Sequence, residues 1–379
     1  MDSRKQQPEI GLNHAPIFFS FFTWGFGTGA QQLGRPLYAF AATGNPFLVG
    51  VLLASNAIPR AFTGPLTGFL SDRLGRKPLV MLGPTIRGVS NVGQFTIGLD
   101  DYWLFLILEL VGQIGVAMWN TSSNVLLSDV TRTENRGRVL ALRHMSTRLG
   151  FVVGPAVGGI LAALMGLQAV FLLNGVSKVV IVVVVFFMVK ETRPENIGTR
   201  ETNRKKPGLT LAPFRDRTFV ALALATAAFA MSNAGLMQTV IPVYAVDVVE
   251  VDEAAIGFLI TVASAVTFLF AFPNGVIADR FGRKWSLVPG LLLMAVASVA
   301  LSAGSFYGAL LFAVSLKGLG EAMALGTTQT YAMDLAPPES RGTFIGMWTA
   351  SQALGAIVGP LLMASLYHYV FPDAAFLTM

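Results

Sequence analysis

The sequence has 379 residues, of which 53% are hydrophobic and 13% are charged, whereas soluble domains carry about 25% charged residues. The mean hydropathy of +0.62 and apolar runs of about 20 residues, each long enough to cross a hydrocarbon core of about 30 Å, exclude a water-soluble globular domain. There is no cysteine, which excludes disulfides, cysteine-ligated metal sites and thiol nucleophiles.

Eleven apolar segments predict eleven complete transmembrane helices. They cover residues 16–38, 46–68, 77–97, 102–125, 141–165, 168–189, 218–241, 254–275, 285–304, 306–330 and 342–369. The first segment is too long for the core of a signal peptide, so we expect it to be retained. A twelfth helix begins near Pro372, but the seven residues after it rise only about 10 Å. The sequence therefore predicts a truncated twelfth helix.

The distribution of basic residues predicts a cytoplasmic N-terminus, because cytoplasmic loops are enriched in Lys and Arg. With this orientation, 20 of the 27 Lys and Arg residues lie in inward segments and the other seven lie within the predicted helices. The outward loops carry acidic residues such as Asp101, Asp247 and Glu250. The net charge of +6 thus indicates contact with anionic headgroups in the plasma (cell inner) membrane, not nucleic-acid binding.

One long polar segment, residues 191–217, contains three prolines and mixed charges, which is typical of a cytoplasmic linker. It separates an N-terminal transmembrane half, residues 1–190 with helices one to six, from a C-terminal half. The C-terminal half, residues 218–379, contains helices seven to eleven and the start of the twelfth.

The two halves share an internal repeat. The hexapeptide DRLGRK at 72–77 recurs as DRFGRK at 279–284, an offset of 207 residues. Asp129 with Arg136-Gly137 matches Asp334 with Arg341-Gly342 at an offset of 205, and a glycine pair before a proline recurs at the same offset. Landmarks in one order at nearly one spacing indicate a duplicated unit, and duplicated transporter halves place their substrate site near the bilayer midplane.

The DR-x-GRK segments resemble the signature loop of the major facilitator superfamily, between the second and third helices and again between the eighth and ninth. The resemblance implies an all-α membrane protein with two pseudo-symmetric six-helix bundles and transport by alternating access. Carried over, Asp72 would face the helix that opens at Arg341, and Arg73 would reach toward Asp129. The alternative is that these charges only fix topology. The gating-loop residues are Gly68, Asp72, Arg73, Gly75, Arg76, Lys77, Asp129, Gly275, Asp279, Arg280, Gly282, Arg283, Lys284, Asp334 and Arg341.

A second motif lies on the fifth predicted helix and comprises Gly150, Gly154, Pro155, Gly158 and Gly159. From the residues alone it is a small-residue packing stripe; it also resembles the fifth-helix motif of antiporters and drug exporters in the family, which favours export. The fourth helix of proton antiporters often carries an arginine before a glycine. The segment from Leu108 to Gly115 has no cation, which weakens the proton-coupling interpretation.

Charges inside predicted helices are functional candidates, because an ionisable group in hydrocarbon costs a few kcal/mol. Lys317 and Glu321 lie one turn apart on the tenth helix, where Glu321 could exchange protons, and the alternative is a structural ion pair. Glu109 on the fourth helix is a second proton-coupling candidate, unless it contacts outside water. Seven intramembrane cations against two acids hint at an anionic substrate: Arg35, Arg60, Arg87, Arg143, Arg148, Lys178 and Lys317.

Uncharged candidates for the substrate cavity come from the first, fourth and seventh helices. They are Gln31, Asn120, Ser232, Asn233 and Gln238, with Trp24 and Trp119 as aromatic surface. Hydrogen bonding between helices is the alternative for each. No metal ligand set, nucleotide-binding loop or catalytic carboxylate pair is found in the sequence, so we expect neither an enzyme nor a cofactor.

The sequence therefore predicts a secondary active transporter, monomeric, with the proton as coupling ion, that exports small amphipathic compounds. One alternative is an importer or uniporter of an organic anion or sugar on the same fold. Another is a transport-inactive membrane protein or a truncated product.

Overall fold

The computed structural model describes residues 15–98, 101–129, 131, 136–189, 191, 216–302, 304–337 and 341–378. At a few helical positions, namely 60, 61, 64, 65, 68, 69, 71–73, 128, 129, 136, 137, 325 and 341–343, it describes the backbone alone. Most of the predicted linker, 192–215, lies outside the described residues.

The described chain is a succession of helices joined by short turns. Their bounds are α1 Ala15–Thr43, α2 Pro46–Ser55, α3 Ala57–Leu74, α4 Arg76–Thr96, α5 Tyr102–Asp129, α6 Arg136–Met165, α7 Ala169–Met188, α8 Arg217–Met231, α9 Ile241–Asp247, α10 Glu253–Phe281, α11 Lys284–Ser302, α12 Tyr307–Leu335, α13 Arg341–Tyr369 and α14 Ala374–Leu377. A π-helical segment, Ser232–Val240, joins α8 to α9 without a break.

Eight helical stretches in the described residues are long and apolar enough to cross a bilayer, which makes the chain a multi-pass all-α membrane protein. They are Tyr102–Leu127, Arg138–Met165, Ala169–Met188, Arg217–Asp247, Glu253–Phe281, Lys284–Ser302, Tyr307–Leu335 and Phe344–Tyr369. Helix α4 is less apolar because it buries Arg87, Asn91 and Gln94. The predicted number of spans stays a prediction.

The helix predicted over 46–68 is wrong in one respect, because the structure divides it into α2 and α3 at Asn56. Pro59 explains the break. A proline has no N–H to donate to the carbonyl four residues earlier, and its ring clashes with that carbonyl. Here that carbonyl belongs to Ser55, the last residue of α2.

The seventh predicted helix contains the π-helical segment, which the sequence pattern did not indicate. Within it, the hydroxyl of Thr239 donates to the carbonyl of Ala234, five residues back, at 2.7 Å, and the N–H of Ile241 donates to the carbonyl of Leu236. Pro242 follows directly, and a proline inside a helix disturbs the α-helical ladder around it. The wider turn changes which side chains face each other.

The chain groups into two compact units. The first comprises the described residues within 15–34 and 56–191, and the second those within 35–55 and 216–378. In the second unit α2 packs on α13, where a Cβ added to Gly50 would lie 2.6 Å from the carbonyl oxygen of Pro360. The predicted halves, 1–190 and 218–379, stay a prediction.

Each unit contains the same close helix contacts. In the first, added Cβ atoms on Gly150 and Gly154 would meet the carbonyl oxygens of Phe22 and Phe26. In the second, added Cβ atoms on Gly355 and Gly359 would meet the carbonyl oxygens of Ala227 and Met231. Each of these four residues lies 205 positions after its counterpart in the first unit. The internal repeat of the sequence is therefore also a repeat of packing contacts.

Candidate functional site

Three polar side chains form an oriented hydrogen-bond chain in the second unit. The amide Nε2 of Gln238 donates to Oδ1 of Asn233 at 2.8 Å, and Nδ2 of Asn233 donates to Oε2 of Glu321 at 3.1 Å. In an α-helix, residues five apart point about 140° away from each other. The π-helical segment brings Asn233 and Gln238 onto one face, so it builds this chain. All three side chains are half-buried.

Lys317 lies one turn before Glu321 on α12 and is almost fully buried, with 1% of the residue exposed. Its Nζ has no hydrogen-bond partner. Both residues are described, and no ion pair within 4.0 Å joins them, so the structural ion pair, the alternative from the sequence, is not formed in this structure. Glu321 interacts with Lys317 electrostatically over a longer distance. The hydroxyl of Thr261, on α10, which packs against α12, and that of Ser232, in the π-helical segment, are also buried without a hydrogen-bond partner in the described part of the chain.

In the first unit, Glu109 is fully buried and accepts a ring of hydrogen bonds. Arg87 on α4 reaches it with Nη1 at 3.0 Å and Nη2 at 3.4 Å. Gln94 donates to Oε2 at 2.9 Å, and Gln113 donates to Oε1 at 2.6 Å. Contact of Glu109 with outside water, the alternative from the sequence, is therefore wrong for this structure. The fourth predicted helix, which is α5 in the structure, carries no cation of its own between Leu108 and Gly115, and Arg87 on α4 brings a cation to this place.

Gln31 on α1 extends this network, and all of its amide groups are used. Its Oε1 accepts from Nη2 of Arg87 at 2.7 Å and from Asn174, and its Nε2 donates to Asn91 at 3.2 Å and Gln94 at 3.1 Å. In this structure Gln31 therefore links helices, and a transported compound would have to replace one of these bonds to reach it.

The predicted aromatic surface is enclosed within the first unit. The rings of Trp24 and Trp119 stack at 5.0 Å between centroids, and Trp119 is 1% exposed. Lys178 lies over the Trp24 ring, with Nζ 4.1 Å from the centroid. Asn120, next to Trp119, is half-buried. Trp24 is buried as well, at 6% exposed, so of these residues Asn120 is the one that a solute could reach in this structure.

The antiporter-like motif packs α6 against α1. Besides Gly150 and Gly154, Gly158 approaches Ala30, where an added Cβ would lie 2.7 Å from the carbonyl oxygen. Pro155 contacts the α1 backbone at Gly29, where an added Cβ would lie 3.2 Å from its Cδ. Gly159 is buried on the same helix. These small residues bring the two helix backbones close together.

The second copy of the signature loop forms an ion network. Arg283 donates from Nη1 to Asp279 at 2.5 Å and from Nε to Asp334 at 3.1 Å. These hydrogen bonds, first that with Asp279, raise the pKa of Arg283 above its ordinary value. By the repeat, the predicted pairing of Arg73 with Asp129 corresponds to Arg280 with Asp334. In this copy Arg283 contacts Asp334 instead, and Arg280 lies over the ring of Phe281. The pairing of Arg73 with Asp129 itself stays a prediction.

The turn in each copy is made by a glycine with a positive φ, +97° at Gly75 and +99° at Gly282, a conformation that other residues rarely adopt. The motif aspartates are helical, because α3 and α10 continue through residues 72 and 279. Gly275 has open space around an added Cβ, with nothing within 4 Å. Lys284 begins α11. The structure describes only the backbone of Gly68, Asp72, Arg73, Asp129 and Arg341.

In the first copy the start of α4 is capped by a residue that the sequence placed in the linker. The carboxylate of Glu191 accepts from the backbone N–H of Arg76 at 2.9 Å and of Lys77 at 3.1 Å. Nζ of Lys77 donates to the carbonyl of Phe186 at 2.7 Å, near the end of α7. Lys77, one of the predicted gating-loop residues, thus ties α4 to α7.

Sequence reasoning missed Glu191, the partner role of Arg87 and the π-helical segment. Only the last left a signal in the sequence, namely a proline after a polar stretch of an apolar helix. In the described residues, no group of three His, Asp or Glu side chains is placed to hold a metal ion.

Comparison with known proteins gives the family. The profile of the Major Facilitator Superfamily matches residues 17–252 and 222–379. An uncharacterized MFS-type transporter of Methanocaldococcus jannaschii is 23% identical over 90% of this chain and 88% of its own. The class C tetracycline resistance protein of Escherichia coli is 26% identical over 84% and 79%.

Among solved structures, the nucleoside transporter NupG has a TM-score of 0.78 at 13% identity, over 97% of this chain and 96% of its own, which is a likeness of fold. Members of the matched family are transporters of small molecules and not enzymes. The chain therefore belongs to the Major Facilitator Superfamily and resembles its drug exporters.

Proposed function

We propose that this chain is a proton-coupled exporter of small amphipathic organic compounds, with Glu321 as the proton carrier. The observation that carries the proposal is the half-buried carboxylate of Glu321, which is hydrogen-bonded to Asn233 in the π-helical segment and has no ion-pair partner among the described residues. π-helical turns are frequent at functional sites. A carboxyl group that is held in no ion pair can gain and lose a proton without breaking one, and Lys317, one turn away, interacts with it electrostatically.

Glu109 is the weaker candidate for this role. Its carboxylate accepts hydrogen bonds from Arg87, Gln94 and Gln113 and is fully buried. Both carboxylate oxygens are occupied by these donors, so a proton could be added only by breaking hydrogen bonds of the network. We therefore assign Glu109 to the structural network of the first unit.

The direction of transport is proposed from two supports. The relatives include a tetracycline resistance protein, and the glycines of α6 form the close contact with α1 that the antiporter-like motif requires. We further propose eleven complete spans, α2 with α3 and α8 with α9 each counting as one, a cytoplasmic N-terminus, a monomer, and gating by the two signature loops. Asn120 and Gln238, which are half-buried, are the proposed contacts with the transported compound.

The test uses purified protein in proteoliposomes with an imposed pH gradient and a fluorescent amphipathic dye. Wild type should move the dye against its gradient when protons flow the other way. Glu321→Gln should lose the pH response, whereas Glu250→Gln, which changes an exposed carboxylate, should keep it. Wild-type transport that is indifferent to the sign and size of the gradient would remove proton coupling and favour a uniporter.

A further inference from the structure

Lys317 and Gly112 occupy equivalent positions in the two repeats. They differ by 205 positions, as do Gly115 and Gly320, whereas Gly83 and Gly290, the glycines that these two contact on the preceding helix, differ by 207. An added Cβ on Gly115 would meet the carbonyl oxygen of Gly83, and one on Gly320 that of Gly290. The equivalence therefore follows from packing as well as from sequence.

The two units fill this position differently. In the first, a Cβ on Gly112 would collide with Nη1 of Arg87, so a guanidinium lies over this glycine. Its charge is met by Glu109 at 3.0 Å. In the second unit, the lysine itself supplies the cation at this position.

The hydrogen-bonded counter-charge of the first unit has no equivalent among the described residues of the second. At the repeat positions of Arg87, offset by 207, and of Glu109, offset by 205, stand Met294 and Val314, both apolar and buried. Nζ of Lys317 has no hydrogen-bond partner there, and Glu321 interacts with it electrostatically without forming an ion pair. A buried charge that no hydrogen bond satisfies is destabilising, so Glu321 offsets this cost only in part.

We propose that Lys317 is the binding residue for an anionic group, and that the transported compounds are amphipathic organic anions such as aromatic carboxylates. This inference rests on the proposed function of the same site, and it adds the substrate class. The anion supplies the charge that Glu109 supplies in the first unit. The hydroxyl of Thr261 on α10, the helix that packs against α12, is buried without a partner among the described residues, so it is a further donor in the same helix pair.

The first arm of the test needs no ligand. Thermal unfolding of the purified full chain is measured in detergent and in chloride-free buffer for wild type, Lys317→Met and Lys317→Arg. Lys317→Met removes an unpartnered charge at similar length, so its Tm should be equal to or higher than that of wild type. A Tm lower by several degrees would show that Lys317 already has a structural partner, and would overturn the proposal.

The second arm measures binding of 2-naphthoate and of its neutral analogue 2-naphthamide by calorimetry. Wild type and Lys317→Arg should bind the carboxylate at least about tenfold more tightly than Lys317→Met does, which corresponds to the loss of one ion pair. Arg148→Met, which removes a half-buried cation on α6, should bind it as wild type does. The amide should not distinguish the variants. No naphthoate binding by wild type, or equal binding by Lys317→Met, would overturn the assignment.

Added chloride identifies the source of the anion. If chloride competes with naphthoate in wild type, an inorganic anion can fill the site; if it does not, the anion is the carboxylate of the organic compound, and both outcomes support an anion site. The detergent assay involves no pH gradient. If naphthoate does not bind as expected, the anion site is removed and proton coupling is left intact. If Glu321→Gln keeps its pH response, Glu321 is removed as the proton carrier and the anion site is left intact.

Discussion

Arg87 and Glu109 show how a buried ion pair is made tolerable in an apolar bundle. The pair is nearly inaccessible, and both carboxylate oxygens accept further hydrogen bonds from amide side chains. Such saturation is what a buried charge requires, because the cost of desolvation exceeds the Coulomb attraction unless the remaining groups are satisfied. The network therefore depends on both partners being present.

This dependence predicts an asymmetry between single and double substitutions. Arg87→Met should destabilise the protein by about 3–5 kcal/mol, because it leaves Glu109 buried without its counter-charge. The double variant Arg87→Met, Glu109→Gln should recover most of that loss. Tm values from thermal unfolding in detergent measure both, with Arg148→Met as the control for removing a half-buried cation. A double variant no more stable than Arg87→Met would contradict the argument.

The sequence identified the buried polar residues but not their pairing. Gln31, Glu109, Lys317 and Glu321 stand out because polar groups in apolar helices are rare. Whether each is satisfied depends on residues far away in the chain. Arg87 is 22 positions from Glu109, and Asn233 is 88 from Glu321. Spacing along one helix suggested a Lys317–Glu321 pair, whereas the structure directs Glu321 to Asn233.

Helix α4 depends on one carboxylate for its first turn. The N–H groups at a helix N-terminus have no intrahelical partners, and Glu191 accepts two of them. A carboxylate there also interacts favourably with the helix dipole. This cap was not predictable, because the accepting residue follows α7, more than 100 positions later in the chain.

Removal of the cap should be measurable. Glu191→Ala should lower stability by about 1 kcal/mol, the usual effect of losing an N-terminal cap, whereas Glu191→Gln, which keeps an acceptor oxygen, should lose less. Differential scanning fluorimetry of purified protein gives the shifts in Tm. Equal shifts for the two variants would indicate that the side-chain oxygens are not what stabilises this helix start.

The close contacts between helices lead to a second prediction, which concerns the effect of replacing their glycines on stability. Gly154→Ala places a Cβ against the backbone of Phe26 and Ala30, so α6 and α1 must separate, and the Tm should fall. Gly275→Ala places its Cβ in open space and removes a glycine from a helix, which favours the helix by about 0.5–1 kcal/mol. Its Tm should stay or rise. A fall of the same size in both would remove the packing explanation.

Regular elements were predictable because apolar length alone identifies a membrane-spanning helix. The predicted helices agree with α1, α4 to α7 and α10 to α13 within several residues. The exceptions have local causes, since Pro59 divides α2 from α3 and the segment before Pro242 adopts the π form. Hydrophobic pattern does not report a change of backbone hydrogen bonding, so the alignment of Asn233 with Gln238 required the structure.

Duplication organises the whole chain, and it fixes a topology that can be tested. The signature turns at Gly75 and Gly282 stand at equivalent repeat positions, 207 residues apart, so parallel repeats would put both turns on the same side of the membrane. The basic residues predict that this side is the cytoplasm. Because the natural chain contains no cysteine, single-cysteine variants can be made without removing any other thiol.

Labelling of such variants in intact cells with a membrane-impermeant maleimide tests this arrangement. Leu74→Cys and Phe281→Cys replace exposed residues beside Gly75 and Gly282 and should label only after the membrane is permeabilised. Asp101→Cys and Glu250→Cys, in loops of opposite predicted orientation, should label directly. If Leu74→Cys and Phe281→Cys labelled from opposite sides, the halves would be inverted copies. The two repeats would then be related by an axis in the membrane plane. In that case Gly112 and Lys317 would lie on helices that run in opposite directions through the membrane, and they would no longer be equivalent in depth.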